Sequence, residues 1–215
     1  MKITTKSGMR LNGLIYILAL FITGCITSSN PFYKAEDITQ NPYFIGTFES
    51  SDSGLTVTIS NNINTGKHYL LCLIEGGKVS NYDATLFKIN QDTFVDIMPT
   101  SEPQIMDEYK EGIPTASGLL KAISHDGKVI ASNRLHVLFK LAISKEGIEC
   151  FGAKKASDPS HPIKQSHNLK FHANGDGVVL EEPTEQLQAF VGQYGGTNWS
   201  NLFQTDGIKL VRDGK

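Results

Sequence analysis

Two polar residues that could do chemistry lie within apolar stretches of the chain. His136 lies in the run 134–144, on the face opposite Leu135 and Val137, and Asp96 lies within the apolar run 94–98. If these faces point inward, the imidazole and the carboxylate could contact a bound ligand, and a buried Asp96 would need a partner such as His136 or Arg134. If the faces point to water, both residues belong to the polar sides of strands.

Recognisable catalytic motifs are absent from the sequence. It contains no Gly-x-Ser-x-Gly, no His-Glu-x-x-His, no Cys-x-x-Cys and no phosphate-binding glycine-rich loop before a helix. We therefore predict a protein that is not an enzyme and uses no cofactor. The alternative is a hydrolase with an unrecognised site, in which His136 and Asp96 would converge with a Ser or Cys nucleophile.

Three histidines, His161, His167 and His172, lie close together in the sequence. Their spacings of six and five residues do not bring the rings together on one strand, because residues five apart on a strand lie on opposite faces. We therefore predict no metal site and interpret these residues as loop histidines.

Two cysteines, Cys72 and Cys150, each lie in an apolar run typical of a strand. They are either two small buried thiols or the two halves of a disulfide. Both interpretations stay open at this point, because the separation of the two Cα atoms decides between them.

The elements that must position these residues are mostly strands. Leu55, Val57 and Ile59 alternate with polar residues, and Leu135 begins a longer alternation that ends at Ile143. Tight turns between strands imply antiparallel pairing, since parallel strands need long crossovers. Strands are predicted at 44–49, 55–60, 67–75, 84–89, 93–98, 134–144, 148–151, 168–173, 178–181 and 207–212.

One helix is predicted over residues 184–194. Its apolar residues recur at i, i+3, i+4 and i+7, Thr184 is placed to cap it, and Gly195-Gly196 ends it. Many short antiparallel strands with one late helix predict a mainly β fold. We expect an antiparallel up-and-down β-barrel, or a strongly curved sheet, with one C-terminal α-helix. The long segment 99–133 is then the candidate lid.

The first residues have the composition of an export signal. Lys2, Lys6 and Arg10 precede nine consecutive apolar residues at 14–22. A bilayer-spanning helix needs ~20 apolar residues, so the run is predicted to be the core of a signal peptide. It ends in Ile-Thr-Gly-Cys at 22–25.

This tetrapeptide resembles the lipobox of bacterial lipoproteins. The resemblance implies that Cys25 is acylated and that the membrane is a partner through its acyl chains, which anchor a protein without a spanning helix. By the same resemblance, Ile26 after the cysteine favours the outer over the inner membrane, with the domain facing the periplasm. The alternative is an ordinary secretory leader in which Cys25 has no special role.

Two further resemblances concern the domain itself. Gly46-Thr47-Phe48, with Arg212 near the end of the chain, is similar to the Gly-x-Trp and arginine pair of lipocalin-type (calycin) barrels, although Phe48 replaces the tryptophan. The resemblance implies a barrel in which the arginine packs over the aromatic ring. Separately, Val178-Val179-Leu180 followed by residues 184–190 resembles the C-terminal part of a group of bacterial lipoproteins without an assigned activity, as does the run 94–97.

Composition limits the classes of partner. The 215 residues include 20 basic and 22 acidic side chains, a net charge of −2, so no basic excess is present to bind a nucleic acid. We predict a signal peptide at 1–24, a lipidated Cys25 with a flexible tether at 25–43, and one β domain at 44–215. The expected role is non-catalytic binding of a small apolar or amphipathic ligand. The alternative is a structural or interaction lipoprotein that has a filled barrel and docks another envelope protein.

The anchoring prediction is tested by replacing Cys25 with Ala. The variant lacks the sulfur that would be acylated, so we expect it to leave the membrane fraction for the soluble fraction. The measurement is immunoblotting of fractionated cells. A Cys25→Ala protein that stays with the membrane would contradict the lipoprotein interpretation.

Overall fold

The fold is that of a computed structural model, which describes residues 26–50, 52–62, 65–100, 135–155, 161–166, 169–174 and 177–214. Its strands are β1 (Ile26–Ser28), β2 (Gly46–Ser50), β3 (Thr56–Asn61), β4 (Tyr69–Glu75), β5 (Lys78–Ile89), β6 (Asp92–Pro99), β7 (His136–Ile143), β8 (Gly147–Phe151), β9 (Phe171–Asn174), β10 (Gly177–Leu180) and β11 (Ile208–Arg212). Its α-helices are α1 (Pro162–Gln165) and α2 (Thr184–Gln193), and 3-10 helices span Pro42–Phe44 and Gly196–Asn201.

Eight antiparallel strands close into a barrel. The order is β6-β5-β4-β3-β2-β11-β8-β7, and β7 pairs back onto β6 through Thr93 with Leu141 and Ile97 with Val137. Closure leaves no free edge among these eight strands. The barrel strands follow one another around the wall in chain order, so the predicted antiparallel up-and-down barrel is confirmed.

The inner face of the barrel is apolar. Alternate residues point inward, as the period of two predicts. In β7, Val137, Phe139 and Leu141 all face the inner cluster, as predicted from the sequence. The fully or nearly fully buried members are Phe44, Phe48, Leu55, Val57, Ile59, Tyr69, Leu71, Ala84, Leu86, Val95, Phe139, Leu141, Ile148 and Leu210.

Three strands extend the barrel wall on one side. β1 pairs antiparallel with β7 and parallel with β10, and β10 pairs antiparallel with β9. Because β7 pairs with β1 through His136 and Val137 and with β8 from Lys140 onward, the two neighbours share one edge of the same strand. β1 therefore occupies the edge of β7 that β8 leaves unpaired.

The outer face of the barrel is also buried around β5 to β8. Phe87, Phe94 and Leu138 point outward, yet each is at most 1% exposed. A second apolar layer covers them, made of helix α2, β1, β10 and the loops around α1 and residue 203. Its buried members are Ile26, Phe32, Ala153, Ile163, Val178, Leu180, Leu187, Phe190, Val191, Leu202 and Phe203.

Residues 26–43 differ from the expected flexible tether. Ile26 is 1% exposed and Phe32 is fully buried, both in the outer cluster. Ile38 forms a bridge with Phe87 of β5. Since this segment contributes a strand and two buried anchors, the folded domain begins at β1 rather than at residue 44.

Two local predictions are corrected by the structure. β5 begins at Lys78, six residues before the predicted start at residue 84, because its first half pairs with β4 up to the Gly76-Gly77 turn. Helix α2 matches the predicted span, but its N-cap is Pro183, and the Thr184 hydroxyl donates to the carbonyl of Pro31 instead. Thr184 thus joins the helix to the N-terminal segment.

One end of the barrel is covered by Arg212. Its guanidinium carbon lies 4.7 Å from the centre of the Phe48 ring, and it donates hydrogen bonds to the carbonyls of Tyr43, Ile45 and Lys145. The stacking is the arrangement that the lipocalin-type resemblance implies. We call this end the Arg212 end and the opposite end, which carries the Gly76-Gly77 turn, the Gly76 end.

Gly46 makes room for this arginine. Its φ is +143°, and a Cβ at this position would collide with an Arg212 guanidinium nitrogen. A glycine is therefore required both by the backbone and by the close approach.

Removing the guanidinium should destabilise the barrel. Arg212→Ala loses the cation–π contact and three charged hydrogen bonds, so we expect the free energy of unfolding to fall by about 2–4 kcal/mol. Lys209→Ala is the matched control, because Lys209 is exposed on the same strand and should change stability by less than about 0.5 kcal/mol. The measurement is equilibrium unfolding in urea. Equal midpoints for the two variants would contradict the role given to Arg212.

Candidate functional site

The barrel interior is filled toward the Arg212 end. Phe48 and Leu86 are fully buried, and Tyr69 packs edge-on against Phe44 with ring centres 4.9 Å apart. Ile59 lies beside them at 3% exposure. Side chains of the protein itself therefore occupy this half of the barrel.

Toward the Gly76 end, five inward-facing apolar side chains are only partly buried, although Leu55 and Leu71 near them are covered. They belong to five strands and pack against the inner cluster without being covered by it. Cys150 faces the same cluster, beside Ile208 in the register. We call the five residues the apolar rim: Leu73, Tyr82, Ile97, Val137 and Ile208.

His136 and Asp96 do come together, but on the outside of the barrel. Their strands place Val137 and Ile97 inward, so His136 and Asp96 face outward, and the alternative in which they line the barrel interior does not apply. His136 Nδ1 lies 2.9 Å from Asp96 Oδ1 and 3.0 Å from Oδ2. The Phe32 backbone N–H donates to Asp96 Oδ2 at 3.0 Å.

The buried carboxylate fixes the histidine tautomer. Asp96 is 2% exposed and is held by two donors, which is how a buried carboxylate is stabilised. With Nδ1–H donating to Asp96, a neutral His136 carries its lone pair on Nε2. The ring then offers an acceptor on the side away from Asp96.

A cavity of about 200 Å³ lies beside this pair on the outer face of β5 to β7. His68 Nδ1 lies 2.6 Å from Thr85 Oγ1 within it, and the Asn62 amide donates to Asp83 Oδ1 at 3.4 Å. We call it the outer cavity. It is lined by Tyr33, Asn62, Thr65, His68, Asp83, Thr85, Asp96, Met98 and His136.

The charged groups of the outer cavity are carboxylates and histidines. Its nine described lining residues include two carboxylates and neither lysine nor arginine. Burial raises the pKa of the Tyr33 hydroxyl, a hydrogen bond with Thr85 lowers it, and the charges of Asp96 and Asp83 raise it further. Both carboxylates therefore act on the same phenol.

Most of this cavity is not predicted by the sequence. Tyr33 falls in the predicted tether and His68 in the predicted strand at 67–75, and Asp83 precedes the predicted start of β5. The alternation of Asp83, Thr85 and Phe87 on one face was the available signal for a longer strand with a half-polar outer side.

The hydrolase alternative requires one histidine that contacts both a nucleophile and the Asp96 carboxylate. The nine described lining residues contain no Ser or Cys, and the bonded hydroxyl, that of Thr85, contacts His68 rather than His136. The carboxylate–imidazole pair and the hydroxyl–imidazole pair thus use different histidines. No single nucleophile–base–carboxylate relay is assembled from these residues.

The other two histidines that the structure describes, His161 and His172, lie apart from this cavity. His161 is buried and accepts from the Ile163 N–H as the N-cap of α1, and His172 is exposed with Nδ1 2.9 Å from Glu181 Oε1. His167 lies outside the described residues. Within the described ranges, no group of three or more His, Cys, Asp or Glu side chains is arranged to hold a metal ion.

No disulfide joins Cys72 and Cys150 in the structure. β4 and β8 are separated by three other strands of the barrel wall. Cys150 faces the inner cluster, whereas Cys72 alternates with the inward-facing Leu71 and Leu73 and so points outward. The sheet itself therefore stands between the two sulfur atoms.

Two predictions fall on residues outside the description: the acylated Cys25 with its leader at 1–24, and most of the lid segment 99–133. In the described part of the chain, no helix has the length and apolar character needed to cross a membrane.

Comparisons with protein-family models, with curated proteins and with solved structures found no match to this chain.

Thiol reactivity tests the cysteine assignment. Burial raises the pKa of the Cys72 thiol, so less reactive thiolate is present at a given pH than for an exposed cysteine. In the folded Cys25→Ala protein we expect iodoacetamide to label Cys72 slowly at neutral pH and faster as the pH is raised. In denaturant without reductant, mass spectrometry should find both Cys72 and Cys150 labelled. A mass that takes up label only after reduction would show a disulfide instead.

Proposed function

We propose that this protein is a lipid-anchored bacterial envelope protein that binds a small apolar or amphipathic ligand at the Gly76 end of its barrel. The role is non-catalytic. Binding rests on one observation, which is that the apolar rim presents inward-facing side chains from five strands that the inner core does not cover.

The apolar rim has the character of a binding site for a hydrocarbon group. Burying apolar surface contributes roughly 25 cal/mol per Å², so a ligand that covers these side chains gains free energy from each of them. Tyr82 and Ser80, whose hydroxyls are hydrogen-bonded to each other, add polar groups to this face, and burial raises the pKa of the Tyr82 hydroxyl. An amphipathic ligand suits this combination of groups.

The filled half of the barrel favours a shallow site over a deep one. Phe44, Phe48 and Tyr69 occupy the interior toward the Arg212 end, so a ligand would enter from the Gly76 end and stop above them. The same observation supports the second candidate function, in which the rim docks the apolar surface of another envelope protein.

Anchoring is supported by the order of the charged, apolar and small residues that precede Cys25. It would keep the domain at a membrane surface, where amphipathic molecules are concentrated.

The first experiment is native mass spectrometry of the chain produced from residue 26 onward, compared with a denatured sample. A small molecule that is present in the native sample and lost on denaturation supports ligand binding and gives the ligand's mass. A bare protein that also fails to bind the fluorescent apolar probe N-phenyl-1-naphthylamine would favour the protein-docking candidate.

A pair of matched substitutions locates the site. Val137→Lys places an ammonium group in the apolar rim, and we expect binding of N-phenyl-1-naphthylamine to weaken at least tenfold, which corresponds to about 1.4 kcal/mol. Val211→Lys is the control, because Val211 is 57% exposed on the outside of β11. The measurement is fluorescence titration. Equal affinity in both variants would contradict a site at the Gly76 end.

A further inference from the structure

We propose that the outer cavity is a second binding site, which takes a small primary amine in its ammonium form. This site lies on the opposite side of the barrel wall from the apolar rim. The proposal for this site is therefore independent of the proposal that a ligand binds at the Gly76 end.

The charge of the lining selects a cation. Asp83 and Asp96 contribute two carboxylates, and the nine described lining residues contribute neither a lysine nor an arginine. Asp96 is already held by His136 and the Phe32 N–H, so Asp83, whose contact with Asn62 is long at 3.4 Å, is the carboxylate that meets the ammonium.

The hydrogen-bonding groups of the lining select a donor. The Asp83 carboxylate only accepts, and when His136 is neutral with its Nδ1–H directed at Asp96, its Nε2 accepts as well. A primary ammonium has three N–H donors and no acceptor, which is the complement of this set. A carboxylate or phosphate ligand would face the Asp83 carboxylate and be repelled by it.

The size and the apolar part of the lining select a short alkyl chain. About 200 Å³ is below the 300–1,000 Å³ range typical of pockets for drug-sized ligands. Met98 supplies an apolar wall, and the ring of Tyr33 supplies a face over which a cation is attracted. A small alkylammonium fits both the volume and the chemistry.

The experiment uses the full chain and three probes of equal length: butylamine, 1-butanol and butyrate. Met98 lines the cavity, so its ¹³C-labelled methyl group reports binding by nuclear magnetic resonance, with Met98→Leu to assign the signal. We expect a saturable shift with butylamine at millimolar concentration and at least tenfold weaker effects with the neutral and anionic probes. Equal shifts with 1-butanol, or no shift with butylamine at 100 mM, would overturn the proposal.

The carboxylate is tested by Asp83→Asn, which keeps the shape of the side chain and removes its charge. We expect butylamine to bind at least tenfold more weakly to this variant. Asp206→Asn is the matched control, because Asp206 is exposed and outside the cavity lining. If Asp83→Asn changes the Met98 signal before any amine is added, Asp83→Glu is the second variant, since it keeps the charge and should keep butylamine binding within tenfold. An unchanged butylamine affinity in Asp83→Asn would contradict the site. So would an Asp83→Glu variant that binds butylamine as weakly as Asp83→Asn does.

Discussion

The fold depends on burying both faces of the same strands. In β5 to β7 the inward residues pack into the barrel core, while Phe87, Phe94 and Leu138 on the outside are just as fully buried. A barrel of eight strands can fill its interior with its own side chains, but it cannot cover its outer wall. The N-terminal segment and the long insertion between β8 and β11, which holds helix α2, provide that cover. The outer cavity lies on the outer face of these same strands, where the lining side chains are mostly polar.

Much of the fold could be predicted because the period of two is a local signal. The alternation from Val137 to Ile143 identified the inner face of β7, and the ordering of Gly46, Phe48 and Arg212 anticipated the stacked pair at one barrel end. Strand β1 could not be found in this way. It has three residues and is held by β7 and β10, so its stability comes from partners more than 100 residues away along the chain. From composition alone, the segment that contains β1 was predicted to be a flexible tether.

The residues of the candidate sites were harder to place from the sequence than the strands were. The sequence singled out His136 and Asp96, and the structure pairs them, but on the face opposite to the one that a ligand-binding barrel suggested. Alternation tells which residues share a face and does not tell which face is inside when both are apolar. Tyr33 and His68 reach the outer cavity from segments far apart in the chain. Only the register of the closed barrel and the path of the N-terminal segment bring these groups to one place.

The position of β1 has a mechanical consequence. Its hydrogen bonds run along both sides, antiparallel to β7 and parallel to β10, and the chain before Ile26 continues from its first residue. A pull on that preceding chain acts along the strand axis, so it shears both ladders at once instead of unzipping them one bond at a time. Ile26, locked in the outer cluster, would have to leave its apolar surroundings in the same event. If the domain were held by its N-terminus, tension would pass from β1 directly into the barrel wall at β7, the strand that carries His136.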